Sequence, residues 1–325
     1  MKCPGAPLLV ALPFALAGAL AGCLVDDERC VANDECTLDA ICTAGQCVAI
    51  ENEGEGEGEG EGESEGEGEV EGEGEGEGEP PRCSLEDGAL GADELPVVLG
   101  VPLRYQAVTD PAAEISVDVE GTASASARVW DFTTALPGEA LFSVTAMPLA
   151  DQWYAGHFTD APAFVDGVGA YVAPLSDEMD GVFEKRAAVL VLLGVASLEE
   201  GRTAITYDPP IVVLSFPLEV GRSWVTETVG SGTYEYSPFY LSSDVYDSAI
   251  DAQGTAETAA GVLPVLRLRL EQQVTIGLLA VTQRKYTWLS PCIGVIAQVE
   301  SDTGETEAAF TTARHARHVA APGSH

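Results

Sequence analysis

Between Glu51 and Glu79 glutamate occupies every odd position, fifteen residues in all, mostly alternating with glycine, and Pro80 and Pro81 close the run. Nothing in this stretch can be buried to offset chain entropy, and like charges on alternate residues repel, so 51–82 is expected to be a disordered, extended Glu/Gly linker. Fully stretched, such a linker reaches ~100 Å; as an ideal coil it spans about 30 Å. A spacer is the simpler reading than a weak calcium buffer. The run therefore cuts the chain into two parts that must fold separately, residues 1–50 and the chain from Cys83 onward.

The linker also carries much of the charge. Removing its fifteen glutamates from the formal net charge of -38 leaves -23, still acidic. A surface of that sign repels phosphate, which argues against nucleic acid as a partner.

Residues 1–22 read as a targeting segment. Lys2 supplies a positive start, Leu8 to Ala21 form an apolar run too short to span a bilayer, and Leu20, Ala21 and Gly22 lead into Cys23. This ending resembles the lipobox of bacterial lipoproteins. The resemblance implies cleavage before Cys23, diacylglycerol on its sulfur and acylation (palmitate among the chains) of the new amino group. It also implies an outer-membrane address, periplasmic or surface facing, because Leu24 rather than an aspartate follows the lipid site. Several acyl chains hold a protein far more firmly than one. Membrane lipid is thus the expected partner, reached through acylated Cys23.

Of the eight cysteines, Cys3 leaves with the leader and Cys23 is consumed by lipid, leaving six. In an exported chain an even set reads as disulfides. Cys30, Cys36, Cys42 and Cys47 fall in residues 23–50, a stretch with too few apolar side chains for a core, so only cross-links can order it. Zinc is disfavoured, since no CxxC pair is present, and Asp34, Glu35 and Asp39 lack the spacing of a calcium loop. Resemblance to small cysteine modules of secreted proteins implies the alternating pairing, Cys30 with Cys42 and Cys36 with Cys47. Cys83 and Cys292 then remain for each other. Closing a loop of roughly 200 residues stabilises a fold by about 5 kcal/mol in the chain-entropy model.

From Cys83 the apolar pattern has period two. Ile115, Val117 and Val119 alternate with Ser116, Asp118 and Glu120, and Leu266, Leu268 and Leu270 alternate with Arg267, Arg269 and Glu271. Further strands are expected at 128–132, 140–145, 187–195, 211–216, 224–229, 234–245, 274–282, 285–289 and 295–300, with turn residues between them. The strongest helical rival, 182–193, is tipped towards a strand by Val189 and Val191. The expected fold is all-β over 83–310, an antiparallel sandwich or a curved half-barrel, followed by a flexible tail at 311–325.

Several short stretches in this region resemble a broad group of exported β-rich domains of Gram-negative bacteria. These are Val129 to Phe132, Phe216 to Leu218 with Gly221 to Trp224, Gly254 to Arg267, and Tyr286 to Val295. Ala259 replaces the proline usual in that group's turn. The resemblance brings no activity with it. Physically, Trp130, Trp224 and Trp288 read as core, and Gly254, Gly261 and Gly294 as sites of turn or close backbone approach. The aromatics Tyr234, Tyr236, Phe239, Tyr240 and Tyr246 read either as a packed strand face or as the lining of a groove.

No catalytic motif is present: neither HExxH, nor GxSxG, nor a phosphate-cradling glycine loop. His157 with Asp160, and Asp177, Glu178 and Asp180, read as surface groups rather than as a triad or a calcium site. No metal or cofactor is expected. The function expected is that of a membrane-anchored envelope lipoprotein whose β domain binds a glycan, an apolar ligand or an envelope protein, or is purely structural. The rival is an exported glycan hydrolase using paired carboxylates, which come from distant strands and leave no local motif.

Overall fold

The computed structural model describes residues 84–108, 114–124 and 127–321, together with the backbone of Ala40–Thr43 and Gln46–Ala49. The expected targeting segment, lipid site and linker lie outside the described residues. Ala40–Thr43 pairs antiparallel with Gln46–Ala49, which sets Cys42 directly across from Cys47 in the register.

The main body is all-β, as the period-two pattern predicts. Its large sheet begins with Ala140–Thr145, Pro102–Val108, His315–Val319, Gly294–Glu300, Leu279–Ser290 and Gly261–Ile276. It continues through Ser237–Thr258, Ser223–Tyr234, Ala204–Ser215, Val189–Ser197, Met179–Lys185, Gly169–Pro174 and Met147–Pro148. The first and last of these strands are one piece of chain. Thr145 pairs with Pro102 at one edge of the sheet, Met147 pairs with Val172 at the other, and the single residue between, Ala146, is fully buried. One extended segment thus touches both edges and curls the sheet into a nearly closed barrel. Closure of this kind satisfies strand edges that would otherwise recruit other chains.

The sequence left a sandwich and a curved half-barrel open; the antiparallel sheet curls nearly to closure, and on one side a second layer covers its wall. Leu266, Leu268 and Leu270 point into the barrel, while Arg267 points outward and is covered. Its guanidinium lies over the rings of Trp130 (5.6 Å) and Tyr286 (4.7 Å), pairs with Asp251 at 2.8 Å, and donates to the carbonyl of Val119. Trp130 and Trp288 meet edge to face at 5.8 Å, and Phe132 packs on Trp288 at 4.9 Å. A second layer built from the early part of the domain therefore seals the outside of the wall. Elsewhere, Tyr154 and Phe158 cover Val172, Val182 and Ala196.

Four expectations are corrected, the first being the strand expected at 234–245, which is broken by a hairpin turn at Glu235 and Tyr236, both at positive φ. The tail expected at 311–325 contains His315–Val319, a strand paired on both sides, to Gly294–Glu300 and to Pro102–Val108, with Arg317 and His318 buried. Its charges hid it, because charged strand residues ordinarily face water. The strand expected at 274–282 is interrupted by a turn in which Gly277 adopts φ +61° and Leu278 is fully exposed. The segment 115–119 contributes only the short strand Ile115–Ser116. The 182–193 stretch forms no helix; it belongs to the hairpin of Met179–Lys185 with Val189–Ser197.

Candidate functional site

One stretch of the barrel wall is built unlike the rest. Ala204–Ser215 and Ser223–Tyr234 pair from Ala204 opposite Thr233 to Asp208 opposite Val229, and there the paired register ends. The next residues are Pro209 and Pro210, which have no N–H to give to a ladder. Below them, side chains of one strand reach the backbone of the other. Thr228 donates its hydroxyl to the carbonyl of Pro209 at 2.6 Å. Thr226 Oγ1 accepts the N–H of Val212 at 3.1 Å, and the Trp224 indole N–H donates to the Val212 carbonyl at 2.9 Å. Residues 224, 226 and 228 alternate onto one strand face, so three side chains stitch a gap where a backbone ladder would otherwise run.

Behind this gap lies a cavity of about 30 Å³, room for about one water. Phe183, Leu192, Ile211, Val213, Leu268 and Leu270 supply its apolar walls, and Tyr246, Ser248, Lys285 and Thr287 its polar ones. Outside the gap, Val225 is 60% exposed and Val229 43%, and exposed Glu227 lies between them on the same strand face, so the approach is mixed.

The interior continues into a belt of buried polar groups. Lys285 and Glu300, each only 5% exposed, form an ion pair at 3.0 Å, and Gln283 donates to Glu300 at 2.8 Å. Burial pulls the Lys285 ammonium below its usual range, opposed by Glu300. Arg317 lies over the Tyr105 ring at 4.7 Å, and burial lowers its pKa also. Gln272 donates to the Tyr246 hydroxyl at 3.2 Å. Asp244 is 2% exposed, and desolvation raises its carboxyl to about 6, against the lowering effect of Ser242 and Tyr246 beside it. Burying such charges costs more than their attraction returns unless partners are close, as they are for Lys285 and Glu300.

The residues singled out from sequence are scattered. Cys292 sits in the turn between Leu279–Ser290 and Gly294–Glu300, donates its N–H to the Glu94 carbonyl at 2.7 Å, and is engaged in a disulfide. Cys83, Cys23, Cys30 and Cys36 lie outside the described residues, as do the side chains of Cys42 and Cys47. Trp130 and Trp288 are core, and Trp224 stitches the gap. The aromatic run divides: Tyr246 lines the cavity, Tyr234 and Tyr240 pack together at 5.4 Å, and Phe239 is 90% exposed. His157 is exposed in a short 3-10 turn. Asp177 and Glu178 are exposed, whereas Asp180 is buried and accepts the Tyr154 hydroxyl at 2.6 Å, so the three do not converge. Among the described residues no cluster of three metal-ligating side chains occurs.

Sequence reasoning missed Asp244, Lys285, Glu300 and Arg317. Each occupies an alternate position in a strand, where a charge is read as facing solvent; only closure of the barrel turns that face inward. The buried carboxylates Asp180, Glu184, Asp244 and Glu300 are met by Tyr154, Arg186, Tyr246 and Lys285 respectively. Such matching gives no support to a pair of acids facing a glycan.

Fold and site together define an all-β domain whose sheet curls into a nearly closed barrel, with a side-chain-stitched gap in its wall among the described residues. No family model matches the chain, and no curated protein matches it. A solved structure provisionally described as a lipoprotein, from Parabacteroides distasonis, is 9% identical with a TM-score of 0.26, the match covering 69% of this chain and 95% of that one. A likeness at that score leaves the function to the chain's own residues.

Proposed function

We propose that the chain is an envelope lipoprotein, exported, cut before Cys23, and held at the outer membrane by acyl groups on that cysteine, with the barrel carried on the Glu/Gly spacer as a binding module. The anchor rests on the run from Leu8 to Ala21 ending in Leu20, Ala21, Gly22 and Cys23. The disulfide at Cys292 supports an oxidising compartment, with Cys83 as the proposed partner. The observation that carries the binding reading is the stitched gap with a mixed apolar and polar cavity directly behind it.

Fractionation of cells expressing the wild type and Cys23→Ser, with intact mass and a non-reduced peptide map, tests the anchor. The wild type is expected in the membrane fraction with an acylated amino terminus at Cys23, and the serine variant is expected to be released. An unacylated wild-type terminus, or a serine variant that stays with the membrane, would overturn the reading.

A further inference from the structure

We propose that the first residues of Ser237–Thr258 form an open strand edge that takes a second copy of this chain, the two copies pairing antiparallel about a two-fold axis at Phe239. The pairing rests on neither the lipid anchor nor a bound ligand.

The edge follows from two neighbouring hairpins of unequal length. Ser223–Tyr234 stays paired with Ser237–Thr258 as far as Tyr234 opposite Ser237, but on the other side the pairing with Gly261–Ile276 ends at Ser243 opposite Thr275. The shorter hairpin has already turned back at Gly277 and Leu278. Among the described residues, 237–242 therefore has a strand partner on one side only, and an open edge is a template for a further strand. The side chains around this step are large, apolar and uncovered. Phe239 is 90% exposed, Leu241 63% and Tyr236 58%, and Leu278 on the shorter hairpin is fully exposed. Pro238 has no N–H to offer, so the edge gives few backbone bonds and these side chains carry most of the contact.

Charge selects the occupant. The chain is acidic even without its linker glutamates, so most of its surface repels another copy. Yet 236–243 and 272–283, which form the two walls of the step, contain no charged residue. The one acid in the turn, Glu235, is held by Arg202 at 2.8 Å. A copy of like charge can approach here. A bilayer fits less well, because Arg202 with Glu178, Glu199 and Glu235 stands at the end of the longer hairpin and would have to enter lipid ahead of Phe239.

Symmetry completes the fit. In an antiparallel pair formed by one segment with its own copy, each contact occurs twice, and both open edges are covered at once. About an axis at Phe239 the two phenyl rings face each other, and each Leu241 lies diagonal to the opposing ring. The turn of each longer hairpin then comes down beside Leu278 of the other copy.

The test is sedimentation equilibrium of the full-length Cys23→Ser protein, which carries no lipid. A reversible monomer–dimer equilibrium with a dissociation constant below about 1 mM is expected, as suits a small contact. Phe239→Glu sets two carboxylates against each other on the axis and removes no packed side chain, so it should weaken the dimer by about tenfold or more with an unchanged melt. Phe239→Cys should cross-link to itself under mild oxidation, whereas Val262→Cys, also exposed but at the other end of the strands, should not. A protein that stays monomeric at about 1 mM overturns the proposal. So does a dimer that survives Phe239→Glu, since its contact lies elsewhere, and so does Phe239→Cys if it cross-links no faster than Val262→Cys. A monomer that binds phosphatidylethanolamine vesicles, and loses them on Phe239→Glu, would assign the edge to lipid and overturn the pairing.

Discussion

The hydroxyl oxygen of Thr226 accepts the backbone N–H of Val212 at 3.1 Å, across two neighbouring strands whose paired register has already ended at Asp208 and Val229. The Trp224 indole takes the carbonyl of the same residue, so both backbone groups of Val212 on this side are satisfied by side chains.

Thr226→Val keeps the shape and removes the acceptor. With the Val212 N–H left unmatched, the variant should lose about 1–2 kcal/mol of stability. Amide exchange at Val212 should rise by about tenfold relative to its neighbours. Unchanged exchange at that single amide would show that Thr226 does not hold the gap.

Asp244 makes stability depend on pH in a defined direction. Its carboxyl titrates at about 6 in the fold because it is desolvated, against about 3.9 in an unfolded chain. The folded state therefore holds the proton more tightly. This contribution is complete below about pH 4 and is lost as pH rises towards about 6, above which the buried charge is a net cost. Asp244→Asn should match the wild type near pH 4 and exceed it by on the order of 2 kcal/mol near pH 7. Thermal melts across that range decide it; a constant difference between the two proteins would refute the assignment.

Deleting residues 311–325 should abolish the native fold rather than trim a tail. His315–Val319 fills a place between two strands, and its loss would leave Gly294–Glu300 and Pro102–Val108 each without a partner on that side and the Tyr105 ring without Arg317. The cost should exceed about 5 kcal/mol, which is the stability of many whole domains. Circular dichroism and solubility of the shortened chain check this, and a cooperative melt close to that of the full chain would contradict it.

How far the sequence could be read depended on whether neighbours in the chain decide the outcome. At Leu266 to Leu270 the alternation gave the strand and the inward face of the leucines, and Gly254 was picked out for close approach. In the fold a Cβ there would collide with the Arg128 carbonyl. By contrast Arg267, read as the solvent face of that same strand, is roofed by Trp130 and Tyr286, residues distant in the chain. The candidate site was still less legible. Trp224, Thr226 and Thr228 look like an ordinary alternating strand until Pro209 and Pro210 are set beside them.

The sequence by itself determined the strand character of the region beyond Cys83 and which positions alternate, because these depend on side-chain period within a few residues. Tertiary structure decided which face of each strand became the interior. It also joined the two sheet edges through Ala146 and placed Lys285 opposite Glu300 and Thr226 opposite Val212. These depend on register between strands that the chain brings together from far apart, and a residue does not reveal its partner until the sheet has curled.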